Sequence, residues 1–320
     1  MFRSALVLTL VSLLSACAAA PSRAAAVRTT PLPVPANTRY VEGSFSGTGG
    51  LKLYEASWRP TSGEPRAAVI VMHGLKDHAD RYTELASALV AEGYAVHAFE
   101  LRGHARSEGE RVWVERFDEY VEDMKLFVQR VKAKEPGKPV FLFGHSMGGA
   151  ISTLYALDHP AQVNGLILSA AALKPGKDIS GFRIAMSGVV STLSPRSKLL
   201  ESEDTLFSRD PQVVAQMKSD PLILQGNGPA RTGAELLKAM ETIGKRRAEL
   251  KVPLLAMHGT ADALTNPEGS AELVANAATT DKTLNRYEGL YHDLVHEPER
   301  AKVIADMVAW LNARSPLPVP

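Results

Sequence analysis

The chain has one cysteine in 320 residues, Cys17, so no disulfide can brace the fold. It has no excess of one charge: 36 Lys and Arg stand against 35 Asp and Glu, for a formal net charge of +1. That balance argues against nucleic acid as a partner, because such surfaces carry a clustered basic excess. There is no internal repeat and no heptad pattern, which excludes solenoids and coiled coils. No metal cluster, dinucleotide fingerprint or phosphate loop is written in it, so no metal or cofactor is expected. The apolar run from Ala5 to Leu14 is too short to span a bilayer comfortably. What remains is a chain 45% hydrophobic and long enough for one large α/β domain, or a domain with an insertion.

The N-terminus reads as a targeting segment outside the fold. Arg3 gives a positive n-region, and Ala5 to Leu14 is an apolar h-region of signal-peptide length. Leu14-Ser15-Ala16-Cys17 resembles the lipobox of bacterial lipoproteins, in which the cysteine is diacylated and becomes the new N-terminus. Two other readings compete. Ala18-Ala19-Ala20 fits an A-x-A site for ordinary secretion, and the segment could stay uncleaved as a weak anchor. Residues 18–39 are rich in Ala, Pro and Thr, and alternating Pro31, Pro33 and Pro35 favour an extended, semi-stiff tether. The expected setting is the bacterial cell envelope: a membrane surface reached through a lipid anchor, or alternatively the periplasm or the medium.

The pattern beyond the tether alternates strands and helices. Val41 to Phe45 and Leu51 to Trp58 read as two strands joined by a Gly-rich turn. Ala67 to Met72, Tyr94 to Phe99, Pro139 to Phe143, Gly165 to Ser169, Pro253 to Met257 and Thr283 to Tyr287 read as further strands. Helical periodicity covers Arg81 to Glu92, Arg116 to Lys134, the run after residue 148, and Val303 to Leu311. Such alternation predicts a mostly parallel sheet with helices on both faces. Residues 173–250 break the rhythm with short amphipathic runs between Gly and Pro, and are expected to form a helical cap over the strand ends. The core would then be 40–172 and 251–320.

Gly144-His145-Ser146-Met147-Gly148 lies between a strand-type and a helix-type run. A G-x-S-x-G turn in that setting is a nucleophile elbow, which exposes the serine at the carboxyl edge of the sheet. A serine hydroxyl needs a base and an oxyanion site. The chain order nucleophile, acid, histidine leaves only His292 and His296 of the nine histidines. His292, after the Glu288–Tyr291 loop, is the expected base, and Asp262, just after an apolar strand, the expected acid. Asp281 and Asp293 compete for the second role and read as solvated charges. Backbone N–H groups of Met147 and Leu75 are the expected oxyanion donors.

Six strings now stand in order: H-G-L-K-D-H-A-D-R-Y, R-G-H-A-R-S-E-G-E-R, G-H-S-M-G-G-A, S-D-P-L-I, H-G-T-A-D and Y-E-G-L-Y-H-D-L-V-H-E. Together, from about Tyr40 to Leu311, they resemble the monoacylglycerol lipase and lysophospholipase family. The resemblance implies an α/β-hydrolase fold with a helical cap, no cofactor, and an acyl-ester lipid as substrate. It implies Ser146, Asp262 and His292 as triad and Leu75 and Met147 as oxyanion donors. It also implies that Asp77 and Arg81 organise the glycerol end of the pocket, against the alternative of a surface ion pair. The resemblance also implies a second glycerol-contacting histidine, to which His296 corresponds with a spacing that differs by one residue. Two departures are visible: Ala105 stands where the R-G-H-x-x-S turn carries glycine, and Glu100 replaces an aspartate. The apolar stretch Phe182, Ile184, Met186, Val189, Val190 and Leu193 suits an acyl chain, a membrane surface or burial in its own domain. A lysophospholipase, an aminopeptidase or acyltransferase of the same fold, and a catalytically silent binding protein are the rival readings. A haloalkane dehalogenase, with its aspartate nucleophile, is disfavoured by Ser146.

Overall fold

The computed structural model describes residues 32–176, 181–200 and 204–315. Cys17 and the signal-type segment lie outside the described residues. β1 (Thr38–Ser46) and β2 (Lys52–Pro60) form an antiparallel hairpin, with Thr38 opposite Pro60 and Ser46 opposite Lys52. β3 (Ala67–Met72), β4 (Tyr94–Phe99), β5 (Val140–His145), β6 (Gly165–Ser169), β9 (Leu254–Gly259) and β10 (Lys282–Tyr287) complete one sheet. Its order is β1-β2-β4-β3-β5-β6-β9-β10. Every pairing from β4 to β10 is parallel.

The two central strands are buried at every position, as uninterrupted apolar runs require. Their side chains still alternate between two cores. Ala68, Ile70, Met72, Val140 and Leu142 face one, and Ala67, Val69, Val71, Phe141 and Phe143 the other. Helices cover both. α1 (Thr83–Ala91) and α8 (Arg300–Asn312) lie on one side, and α2 (Asp118–Lys134) and α3 (Met147–Asp158) on the other. α2 buries Tyr120, Val121, Met124, Phe127, Val128 and Val131, a stripe with the 3.6-residue period. From β3 the chain crosses to β4 on one side, whereas β5 returns to the other side of β3. The carboxyl ends of β3 and β5 therefore flank a topological switch point, where open α/β sheets form their crevice.

The cap leaves after β6 and returns at β9. It holds α4 (Gly181–Leu193), α5 (Pro211–Ser219) and α6 (Ala230–Arg246), with a short antiparallel ribbon, β7 (Lys198–Leu200) and β8 (Gly228–Pro229). Polar contacts fix it to the core: His78 Nε2 meets Asp220 Oδ2 at 2.9 Å, and Arg111 donates to the Leu222 carbonyl at 3.0 Å. The helix α7 (Pro267–Asn276) was not among the expected elements. Its signal is Asn266-Pro267, with the Asn266 side chain accepting from the Glu268 N–H at 3.1 Å. The described end of the Pro-rich segment is docked on the fold: Leu32 and Val34 pack against the core, and β1 already begins at Thr38.

Both departures at the R-G-H turn acquire a geometry. Glu100 is fully buried, accepts from the Arg106 backbone N–H at 2.7 Å and is paired with its guanidinium. Ala105 has φ of 41°, in the left-handed region that costs an L-residue about 1–2 kcal/mol. Ala105→Gly removes that cost and returns part of it as chain entropy in the unfolded state. The expected result is a net gain of about 0.5–1 kcal/mol, read as a higher urea midpoint with an unchanged slope.

Candidate active site

Ser146 sits between β5 and α3 with φ 52° and ψ −121°, a strained conformation held by what packs around it. Gly148 explains how. A Cβ there would strike the carbonyls of Met72 and His73, so the first turn of α3 lies directly against the end of β3. Gly74 is equally close: a Cβ on it would stand 3.1 Å from Ser146 Cβ. The loop that carries Leu75 is thereby pressed against the serine. Met147 opens α3, so its N–H has no acceptor within the helix and lies at the positive end of the helix dipole.

Asp262 is the most heavily bonded carboxylate in the site. Oδ1 accepts from the N–H groups of Leu264 and Thr265 at 2.8 and 3.0 Å. Oδ2 receives His292 Nδ1 at 2.8 Å, Thr265 Oγ1 at 2.8 Å and His258 Nε2 at 3.1 Å. Burial alone would raise its pKa, but the nearby His292 charge and the bonds from both rings win, and the carboxyl stays well below its usual range. An ionised carboxylate can only accept, so His292 carries its proton on Nδ1. Its Nε2 is left as a lone pair, the tautomer a general base needs. Burial pushes His292 down, yet the charge and hydrogen bond of Asp262 outweigh it and raise its pKa above 6.5.

Gly259 brings these loops together. A Cβ on it would fall on the carbonyl of Leu290 and 2.5 Å from that of Tyr291, so the end of β9 and the His292 loop touch through backbone. Ser146 and His292 both line one cavity of about 310 Å³. Among the described residues no hydrogen bond yet joins them; such bonds commonly tighten only with substrate in place. The His145 ring lies 4.7 Å from that of His292, and burial followed by the His292 charge lowers its pKa to about 4, so it stays neutral beside that ring.

Asp293 was expected as a solvated charge, and the structure corrects this. It is fully buried, paired with Arg81 and with His296 Nδ1 at 2.8 Å. Arg81 also holds Asp77 Oδ1 at 3.1 Å, and Tyr82 donates to Asp77 Oδ2 at 2.7 Å. The Asp77–Arg81 pair is therefore a buried one and not a surface one. Burial opposes ionisation of both carboxyls, but His296 and Arg81 at Asp293, and Arg81 at Asp77, keep both charged. Of the three residues expected at the glycerol end, Asp77 lines the cavity, while Arg81 and His296 stand behind it. His296 Nε2 is 2.7 Å from the Arg81 carbonyl and closes the network. Asp281 does lie near the surface, paired with Arg314. Sequence order sets His258 aside, and nothing in the strings points to Thr265 or Ser270; His258 and Thr265 bond Asp262, and Ser270 bonds His258. Arg81→Met leaves two buried carboxylates facing each other. Breaking such a pair costs about 3–5 kcal/mol, so the expected result is an unfolding free energy lower by that amount, read from urea denaturation as a lower midpoint at unchanged slope.

The cavity divides by origin. The core contributes its polar groups: Asp77, His145, Ser146, Thr265 and His292. The cap contributes Val190, Leu199, Leu200, Phe207, Leu236, Leu237 and Met240, with Ser187 its one polar side chain among the described lining residues. In α4, Val190 faces the cavity, whereas Met186, Val189 and Leu193 are exposed. Among the described residues no group of His, Cys, Asp and Glu could hold a metal ion.

The family sequence model described as "Serine aminopeptidase, S33" matches residues 63–299. A monoacylglycerol lipase of Mycolicibacterium smegmatis is 36% identical over 270 residues, covering 84% of this chain and 96% of its own. The human monoglyceride lipase is 36% identical over 269 residues, covering 83% and 88%. Among solved structures, the monoacylglycerol lipase of Paleococcus ferrophilus superposes with a TM-score of 0.74 at 31% identity, over 82% of this chain and 99% of that one. A soluble variant of the Saccharomyces cerevisiae monoglyceride lipase shares the fold, with a TM-score of 0.79 at 23% identity, over 91% and 100%. A strained serine elbow, a desolvated Asp–His pair on one cavity and this coverage agree: the chain belongs to the monoacylglycerol lipase family of α/β-hydrolases and is a serine ester hydrolase.

Proposed function

We propose that the chain hydrolyses monoacylglycerols through an acyl-Ser146 intermediate. The observation that carries this reading is the Asp262–His292 bond, which leaves the His292 Nε2 lone pair on the cavity that Ser146 lines. Ser146 Oγ attacks the ester carbonyl carbon while His292 Nε2 takes its proton. The carbonyl oxygen becomes an oxyanion that accepts from the N–H groups of Leu75 and Met147. His292 then protonates the departing glycerol oxygen. Water, deprotonated by the same ring, attacks the acyl-enzyme and releases the fatty acid and Ser146.

The apolar cap lining suits a single acyl chain. Asp77 supports a hydroxyl-bearing leaving group, with Arg81 and Tyr82 fixing its carboxylate and His296 holding Arg81 from behind. A lysophospholipid would bring a phosphate. No Lys or Arg is among the described residues that line the cavity, which favours the neutral headgroup. A panel of monoacylglycerol, lysophosphatidylcholine and a short-chain nitrophenyl ester separates the readings. Monoacylglycerol is expected to show the highest kcat/KM, and Ser146→Ala to lose at least about 10⁴-fold on every substrate. Because His292 must be neutral to act, kcat/KM should rise with pH and level off, with its midpoint above 6.5. Retained turnover in the alanine variant would overturn the nucleophile.

We further propose that Cys17 is lipidated and holds the enzyme at a membrane surface of the bacterial envelope. The support is the signal layout, Arg3, Ala5–Leu14 and Leu14-Ser15-Ala16-Cys17, and the presence of acyl esters at such surfaces. Mass spectrometry of the mature protein is expected to show a diacylated Cys17 as first residue. An unmodified N-terminus at residue 21 would exclude the anchor.

A further inference from the structure

His258 lies at the end of β9, wholly buried and away from the cavity. Nothing in the mechanism above uses it. Its two nitrogens are nonetheless both engaged, Nε2 with Asp262 Oδ2 at 3.1 Å and Nδ1 with Ser270 Oγ on α7 at 2.8 Å. Asp262 is ionised and can only accept, so His258 Nε2 bears a proton. Its Nδ1 then accepts from the Ser270 hydroxyl. The order of donation is fixed along a line: Ser270 to His258, His258 to Asp262, with His292 donating to the same oxygen from the other side.

Three donors meet at Asp262 Oδ2, which has two lone pairs. The Thr265 hydroxyl has another acceptor, the Ala170 carbonyl at 3.0 Å, and can leave. The two imidazoles then share the oxygen. We infer that His258 is a positioning residue for catalysis: by donating to Asp262 Oδ2 from a ring locked by Ser270, it sets the carboxylate's angle and limits how strongly that carboxylate holds His292. This deepens the proposed function and rests on it.

The other charged or titratable groups around this pair are few. Asp293 and Asp77 act on His292 through their charges, Arg81 lies between them, and the His145 ring stands beside His292. On β10, Arg286 is in register with His258, but its guanidinium pairs with Glu268 at 2.9 Å. From α7 the ring meets a neutral hydroxyl.

The test compares the full chain with His258→Leu, His258→Gln and Ser270→Ala on a soluble nitrophenyl ester across pH. His258→Leu removes the donor. The expected result is a kcat lower by about 10²-fold, the scale of a small misplacement of a reacting group. KM should stay within about twofold, because no lining residue has changed. The acid limb of kcat/KM should move to higher pH, since Oδ2 then has one N–H donor fewer and favours the His292 imidazolium. Glutamine can place an N–H at the same oxygen and should restore most of kcat and the limb. Ser270→Ala should move both readouts the same way by less, and it carries the test if the leucine variant does not fold. Wild-type kcat with an unmoved limb in the leucine or alanine variant would overturn the inference, as would a glutamine variant no better than leucine. Ser146→Ala and His292→Ala run beside them. Turnover surviving in either breaks the underlying mechanism; turnover lost in both, with His258 variants unchanged, breaks only the positioning role.

Discussion

An ionised carboxylate with no solvent must be answered by donors, and Asp262 is the point from which the rest of the site is built. Its side chain is wholly buried. Burying it unpaired would cost several kcal/mol and drive it to the neutral acid. Two backbone N–H groups, a hydroxyl and two imidazoles converge on it instead. Those donors come from β9, the loop after it and the loop after β10, so satisfying one charge fixes three pieces of chain. The same demand decides proton positions. Because the carboxylate only accepts, the His292 tautomer follows from its location and needs no further device.

A second buried charge cluster restrains the other side of the His292 loop. Asp293, the very next residue, is bound to Arg81, which also binds Asp77 on the segment after β3. His292 is thus held from the β9 side through its own ring and from the β3 side through its neighbour. Exposed ion pairs contribute little to stability, and buried ones often no more than apolar residues of the same volume. The network is better understood through geometry: it ties the His292 loop to the segment that carries Leu75 and Asp77, across the switch point of the sheet. Ser146 lies between the two anchors, on a turn whose strain is sustained by contact of Gly148 with the end of β3.

The fold was legible because its central strands β3, β4, β5, β6 and β9 are buried throughout. Uninterrupted apolar runs at Ala67–Met72 and Val140–Phe143 are too short for a typical helix and are bounded by turns, which favours buried strands. The candidates Ser146, Asp262 and His292 follow from chain order, which eliminates most histidines before any contact is known. What sequence could not give are contacts between residues distant along the chain. Asp293 follows His292 directly and was set aside as solvated, because adjacent side chains diverge; that same divergence sends it to Arg81, 212 residues earlier. His258 was excluded as a base by its place before Asp262, and correct exclusion from one role concealed another. Ser270 lies on α7, a helix marked only by Asn266-Pro267 and too weakly periodic to be seen. Ala105 and Glu100 could be recognised as departures, but only φ and the bonds to Arg106 show what each does.

The cavity shows why one chain carries two kinds of sequence pattern. The core, with its strict strand and helix rhythm, supplies every charged or titratable lining group among the described residues, each held by backbone or by a buried partner. The cap, whose rhythm is broken, supplies an almost wholly apolar lining. Reacting atoms require placement to a fraction of an ångström, which a rigid sheet edge provides. An acyl chain requires only volume and the exclusion of water, which irregular segments with short helices provide. The same division explains α4. One side closes the cavity through Val190, while Met186, Val189 and Leu193 remain exposed, so the cap is less fully packed than the core it covers. Substrate selection can therefore change with the cap while the Asp262-centred chemistry beneath stays fixed.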